Sequence, residues 1–280
     1  MLTEIPNIRL ADAHEMPQLG FGVWQVENDE VGKPVRVALE SGYRLIDTAE
    51  GYGNEAGVGE AIAKSGVARE DIFLTTKLNN PRHGFDEALK ACEDSLKQLR
   101  TDYLDLYLIH WPLPMHDNYV DTWKAFIKLR EEGKVRSIGV SNFLPEHIDR
   151  LIAETGTLPV VNQIELHPEF QQREVRTYHA DRGIHLEAYS PLGSGAVLDN
   201  PAIVSIAEAR GISPAQVILR WHMQEGTIAI PKSVTPDRIK ANLELFDFEL
   251  DGDDMAAIEA LDKGEAGRTG SDPATFDWRG

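Results

Sequence analysis

The feature that most narrows what this chain can fold into is an eightfold alternation of two kinds of segment. Short apolar runs rich in β-branched residues are each followed by a stretch with amphipathic helical spacing. The runs predict strands at Leu19 to Gly22, Tyr43 to Ile46, Ile72 to Thr76, Leu104 to Ile109, Val135 to Val140, Val160 to Ile164, Ile184 to Ala188 and Ile228 to Ile230. Helical spacing covers Val31 to Ser41, Glu55 to Ser65, Asp86 to Leu99, Tyr119 to Glu132, Pro145 to Glu154 and Arg173 to Asp181. Two more helices, Pro201 to Ala209 and Pro214 to Gln224, separate the last two strands, and Pro236 to Leu245 comes after them. Asn54, Ser213 and Thr235 are candidate N-caps, and Pro214 and Pro236 suit a first helical turn. Such alternation builds a parallel sheet. Eight units without a low-complexity linker predict one domain over residues 1–280, a closed (β/α)8 TIM barrel with extra helices, rather than an open doubly wound sheet. A Rossmann glycine fingerprint is missing, because Gly22-Val23-Trp24-Gln25 follows the first strand and cannot form that phosphate turn.

At 280 residues and 42% hydrophobic, the chain can bury a full core. A single cysteine, Cys92, excludes an internal disulfide and a cysteine zinc cluster, and it reads as a buried small hydrophobe in a reducing compartment. The net charge of -18 opposes a nucleic-acid role, since a phosphate backbone needs a basic surface. Met1 to Leu10 lacks the apolar core of a signal peptide, and no apolar run approaches the ~20 residues of a membrane span. The expectation is a cytoplasmic enzyme with no membrane or nucleic-acid partner. The tail from Gly264 to Gly280 reads either as a frayed end or as a loop over the barrel mouth carrying Phe276 and Trp278.

In a barrel of this kind chemistry sits at the carboxyl ends of the strands, so the polar groups that stop each apolar run are the candidates. The second run stops at Asp47 and its loop carries Tyr52; the third stops at Lys77 and the fourth at His110. Singly, each has an ordinary explanation: a turn cap, a packed ring, a solvated ammonium, a satisfied core histidine. Together they suit proton donation to an alkoxide. An adjacent ammonium at Lys77 would lower the Tyr52 pKa, Asp47 would fix that ammonium, and His110 would orient a carbonyl. No metal site is predicted, because the Asp, Glu and His residues show no compact ligand spacing.

A proton donor alone does not reduce a carbonyl, and hydride from a nicotinamide fills the gap. Ser141-Asn142 and Tyr189-Ser190 end the fifth and seventh strands and the sixth carries Asn162-Gln163, offering amides and hydroxyls for a carboxamide and, in Tyr189, a flat face for the ring. After the eighth run come Lys232-Ser233-Val234-Thr235-Pro236-Asp237-Arg238. Barrels often bind phosphate there, and Lys232 with Arg238 would suit the 2'-phosphate that distinguishes NADPH from NADH.

Three long stretches carry a family resemblance: Gly42 to Ala49 with Tyr52-Gly53-Asn54-Glu55, Gly133 to Phe143, and Ile230 to Phe248. From about Ile8 to Ile258 the chain resembles the aldo-keto reductases, and the segment Asn162 to Pro168 resembles their prokaryotic branch that reduces 2,5-diketo-D-gluconate. The resemblance implies NADPH-dependent reduction of small aldehydes, ketones or dicarbonyls by a monomer, with Asp47, Tyr52, Lys77 and His110 as the catalytic tetrad. It also implies that Ser141, Asn142 and Gln163 hold the carboxamide, Tyr189 stacks on the ring, and Leu192 and Ser194 lie along the pyrophosphate. Lys232, Ser233, Val234, Arg238 and Asn242 then match the adenosine phosphate end, and Trp24 and Trp111 the substrate pocket, to which the tail would add Trp278. Ala196 and Ala241 stand where relatives that clamp the cofactor carry polar side chains, so fast cofactor release is expected. A Schiff-base aldolase using Lys77 or Lys232, and a binding module that senses the cofactor, are the rival readings.

Overall fold

The computed structural model describes residues 5–279; Met1 to Glu4 and Gly280, which the readings of the two termini included, lie outside them. Eight parallel strands follow one another around the sheet in chain order. They are β3 (Phe21–Gly22), β4 (Leu45–Asp47), β5 (Phe73–Leu78), β6 (Leu104–Ile109), β7 (Val135–Ser141), β8 (Val161–Glu165), β9 (His185–Tyr189) and β10 (Ile228–Ala229). The ring closes between its first and last strands: Leu19 pairs with Ala229, Gly20 N donates to Ala229 O at 2.8 Å, and Ala229 N donates to Gln18 O at 3.0 Å. The eightfold alternation is therefore a closed (β/α)8 barrel.

The helices α1 (Gly32–Ser41), α2 (Glu55–Ala63), α3 (Phe85–Leu99), α4 (Tyr119–Glu131), α5 (Pro145–Thr155) and α6 (Arg173–Ala180) form the outer ring with α7 (Pro201–Arg210) and α8 (Pro214–Gln224). Strands buried on both faces need an apolar layer on each side. The outer layer packs sheet against helices and includes the buried Cys92 of α3. The inner layer fills the barrel with Leu45, Phe73, Leu106, Leu108, Val161, Ile228 and Ile230. Gly139 of β7 is required there, because a Cβ would stand 2.6 Å from Val161 O on the next strand.

Two elements escape the alternation. A hairpin of β1 (Asn7–Arg9) and β2 (Glu15–Pro17) sends Leu10 and Met16 into the inner layer as a plug. Helix α10 (Gly252–Glu259) begins at a capping box made by Asp251 and Asp254, and buries only Ile258. The caps also sort themselves. Ser213 makes a full capping box with Gln216, whereas Asn54 and Thr235 stand at N-cap positions without a side-chain cap bond. Asn54 instead donates to Val23 O and Val26 O and accepts from the Thr48 hydroxyl, tying the first strand-helix loop to the second. The predicted last helix is shorter than its apolar pattern: α9 spans only Pro236–Ala241.

The tail lies across the barrel mouth. Glu165, at the end of β8, accepts from the backbone N–H groups of Thr269 and Gly270, and Asn80 donates to Trp278 O at 2.8 Å. Phe276 packs on Trp111 with ring centroids 4.1 Å apart, and His116 bonds Asp277. Of the two expectations for this segment, the loop over the mouth describes it. No single described helix is long and apolar enough to cross a membrane.

Candidate active site

The strand ends bring the four polar groups to one spot. Asp47 closes β4, Lys77 is the penultimate residue of β5, His110 follows β6, and Tyr52 ends a short 3-10 turn after β4. Lys77 has no exposed surface, and its Nζ donates to Asp47 Oδ1 at 2.6 Å, to Thr48 O at 2.9 Å and to the Tyr52 hydroxyl at 3.3 Å. An ammonium has three hydrogens, and these three acceptors use them all. The Tyr52 and His110 rings meet edge to face, 5.7 Å apart at 74°.

Electrostatics follow from that dry setting. Burial works against the Lys77 charge, but Asp47 first and Tyr52 next overcome it, so its pKa rises and it remains an ammonium. Burial pushes the Asp47 carboxyl up, while Lys77 and Gln163 pull it down. His110 is driven down to about 3 by burial and then by the Lys77 charge, so its imidazole is neutral at physiological pH and donates from one ring nitrogen. Tyr52 departs from the expectation. Lys77 lowers its pKa as the chemistry demands, yet burial raises it more, with Asp47 and Glu187 adding to the rise. Without ligand, the phenol is thus held protonated, as a general acid must be.

The next strand ends form a second connected group. Asn142 sits in the left-handed region at φ 61° and donates to His110 O at 3.0 Å and to the Ser141 hydroxyl at 3.1 Å. The Tyr189 hydroxyl donates to Asn142 Oδ1 at 2.9 Å, which fixes the ring plane. Gln163 is only partly as expected. Its amide nitrogen points into the barrel, donating to Asp47 Oδ2 at 2.8 Å and to Glu187 Oε2 at 2.7 Å, so only its Oε1 is left for a carboxamide. Past Tyr189, Ser190 and the segment Gly193 to Gly195 all have positive φ, and Ser194 is exposed while Leu192 is half-buried.

The loop after β10 exposes Lys232 and Val234 with Ser233 half-buried, and α9 exposes Arg238 and ends at the buried Asn242. Among the described residues Lys232 and Arg238 enter no ion pair, whereas Arg210 pairs with Asp251 and Asp254 and Arg220 with Glu249. Lying together after β10, Lys232 and Arg238 fit an anionic ligand. At the mouth, Trp24 is half-exposed and Trp111 is packed on the tail. Trp278 is more exposed than either, and it is the backbone carbonyl that ties it down. No described cluster of three or more His, Cys, Asp or Glu residues could hold a metal ion.

Two carboxylates near this site were missed in the sequence. Glu187 lies on β9 two residues before Tyr189, and a period of two would have turned both to the same face. Glu165 stands in the same relation to Gln163 on β8. Glu187 was hidden inside a run read as an apolar strand, and Glu165 stands just past the end of another.

Comparison with known proteins adds to the geometry. Residues 18–263 match the family described as the aldo/keto reductase family. An aldo-keto reductase of Mycolicibacterium smegmatis is 54% identical over 275 residues, covering 98% of this chain and 99% of its own. Methylglyoxal reductase DkgA of Escherichia coli is 50% identical over 271 residues, covering 96% and 97%. A variant of Gox0644 solved in complex with NADPH superposes with a TM-score of 0.95 at 49% identity, covering 99% of this chain and 100% of that one. Bombyx mori aldo-keto reductase in complex with NADP gives 0.90 at 37% identity, covering 98% of both chains.

Proposed function

Because the chain belongs to the aldo/keto reductase family, we propose that it uses NADPH to reduce small aldehydes, ketones or dicarbonyls to alcohols, with Tyr52 as the general acid. The reading rests above all on one observation: a fully buried ammonium, Lys77, bonded to both the Asp47 carboxylate and the Tyr52 hydroxyl. The residues fit the cofactor. Tyr189 presents a ring held by Asn142, Ser141 and Asn142 stand beside it, and Lys232 and Arg238 are free for a 2'-phosphate.

NADPH, when bound, supplies the hydride. The side chains do the rest. Neutral His110 donates a hydrogen bond to the substrate carbonyl and Tyr52 gives its proton to the oxygen as negative charge develops there. The phenolate left behind is stabilised by Lys77, which Asp47 holds in place, until solvent returns the proton. Trp24, Trp111 and Trp278 wall the pocket and keep it apolar. Dicarbonyls are favoured among substrates because the relative from Escherichia coli is named a methylglyoxal reductase; 2,5-diketo-D-gluconate-like keto sugars belong to the same class. In this reading the enzyme works as a cytoplasmic monomer.

The rivals fare worse on chemistry. A Schiff-base lysine must shed its proton, and Lys77 is held charged by Asp47. A cofactor-sensing module has no use for a complete proton-transfer set. The test is loss of NADPH absorbance with a panel of aldehydes, ketones and dicarbonyls. Tyr52→Phe should lower turnover by about 10²–10⁴-fold, with NADPH affinity within about threefold of wild type on fluorescence titration. Undiminished activity in that variant would remove Tyr52 from the role.

A further inference from the structure

The inner wall of the barrel holds a carboxyl group that the tetrad does not account for. Glu187 has no exposed surface and lies beneath Tyr189 on β9. Its Oε2 accepts from Gln163 Nε2 at 2.7 Å, and the same nitrogen donates to Asp47 Oδ2 at 2.8 Å. One primary amide thus spends its two hydrogens on two carboxyl groups. Asp47 is bonded to Lys77 through its other oxygen, so a single row runs from Glu187 through Gln163 and Asp47 to Lys77 and the Tyr52 hydroxyl.

We propose that Glu187 is a positioning residue for the reduction: through Gln163 it fixes Asp47 against Lys77, and by holding or losing one proton it sets the charge that the Tyr52 phenol feels. The inference rests on the role given above to Tyr52. The charges in the row argue for it. Lys77 is the only cation in the group, and Asp47 lies on it at 2.6 Å; a second carboxylate would leave a net negative charge in a buried interior. Among the described residues the other oxygen of Glu187, Oε1, is buried with no partner, a place where an ionised oxygen is costly and a neutral hydroxyl much less so.

The groups facing Glu187 are few. Asp47 comes from β4, Lys77 from β5 and Tyr52 from the loop between them, while β8 offers the uncharged Gln163 and β10 the apolar pair Ile228 and Ala229. Glu165 of β8 is turned away to the tail. Burial first, and the Asp47 charge second, hold the Glu187 carboxyl up at about 8 against the pull of Gln163 and Lys77. Around neutral pH it is therefore the protonated one of the row's two carboxyl groups. Losing its proton makes the Tyr52 phenolate harder to form, since Glu187 raises the Tyr52 pKa, and so slows proton donation in reduction.

Two measurements decide this. In the cofactor-free protein, infrared difference spectra between pH 6.5 and 9.5 should show a protonated carboxyl C=O band that disappears as pH rises. That band should be absent from Glu187→Gln, which keeps a hydrogen-bond acceptor for Gln163 but cannot ionise. Single-turnover reduction, which isolates the chemical step, should show an alkaline limb near pH 8 in wild type that is missing in Glu187→Gln. Glu187→Ala, which releases Gln163, should be slower by tenfold or more across the whole range, the amide variant restoring the rate. A wild-type protein with no protonated carboxyl at neutral pH, or a band or limb that persists in Glu187→Gln, overturns the proposal. The infrared result does not depend on Tyr52, so it separates failure of this inference from failure of the reaction assigned above.

Discussion

A carboxylate that collects donors is held ionised, and Glu165 shows how one residue can fasten a whole segment. Its Oε1 accepts from the Thr269 amide at 2.7 Å, the Thr269 hydroxyl at 2.5 Å and His167 Nε2 at 3.2 Å, and its Oε2 from the Gly270 amide at 2.8 Å. Burial pushes its pKa up, but these hydrogen bonds together outweigh burial and bring it to about 2. A carboxyl depressed in the folded state adds stability above its unfolded pKa of about 4.5 and loses that contribution as pH falls toward 2. Glu165→Gln puts an NH2 group against N–H donors. It should cost about 1–3 kcal/mol at pH 7, read from urea unfolding, together with loss of amide protection at Thr269 and Gly270 in hydrogen exchange. Because the unfolded chain takes up a proton at this group before the folded protein does, the stability gap between the two proteins should narrow as pH falls from about 4.5 toward 2. A gap that stays constant with pH would mean that the ionised carboxylate is not what fastens the tail.

Elements were legible in the sequence wherever burial imposes a period. The strands had to be apolar on both faces, so all eight stood out, and the polar residue ending each run marked the rim where Asp47, Lys77 and His110 are found. What stayed hidden lacks such a period. The β1 and β2 strands are three residues long, α10 buries one side chain, and Asn54 resembles a helix cap while serving to join two loops. Partnerships across the barrel were hidden for another reason: Gln163 and Asp47 are 116 residues apart, and nothing in either local segment says that they meet. The loop after β9 is legible in chemistry rather than in shape. It carries the exposed Ala196, and the half-buried Ala241 closes α9. Neither can hydrogen-bond across a bound dinucleotide, so NADPH should leave faster than from relatives with polar side chains at both places. Stopped-flow dissociation as slow as in those relatives would show that some other group closes over the cofactor.

At the scale of the whole molecule, an enzyme of net charge -18 has to attract a cofactor that is itself strongly anionic. The far field opposes binding. At physiological ionic strength, however, it fades over about 8 Å, so the local cations decide. Most arginines at the surface are spent on neighbours, as Arg173 is on Glu259 and Asp262 and Arg210 on Asp251 and Asp254. Among the described residues Lys232 and Arg238 enter no ion pair. Leaving two cations without partners costs little in water and keeps them available for a dianionic phosphate, where hydrogen bonds to charged groups contribute about 1.5–3 kcal/mol each. Replacing both by alanine should therefore weaken NADPH by at least tenfold and NADH by less than about threefold, so that the preference between the two cofactors collapses. Fluorescence titration with each cofactor at fixed salt measures the ratio directly. If it stays as in wild type, the 2'-phosphate is read elsewhere, and the charges of Lys232 and Arg238 serve only solubility.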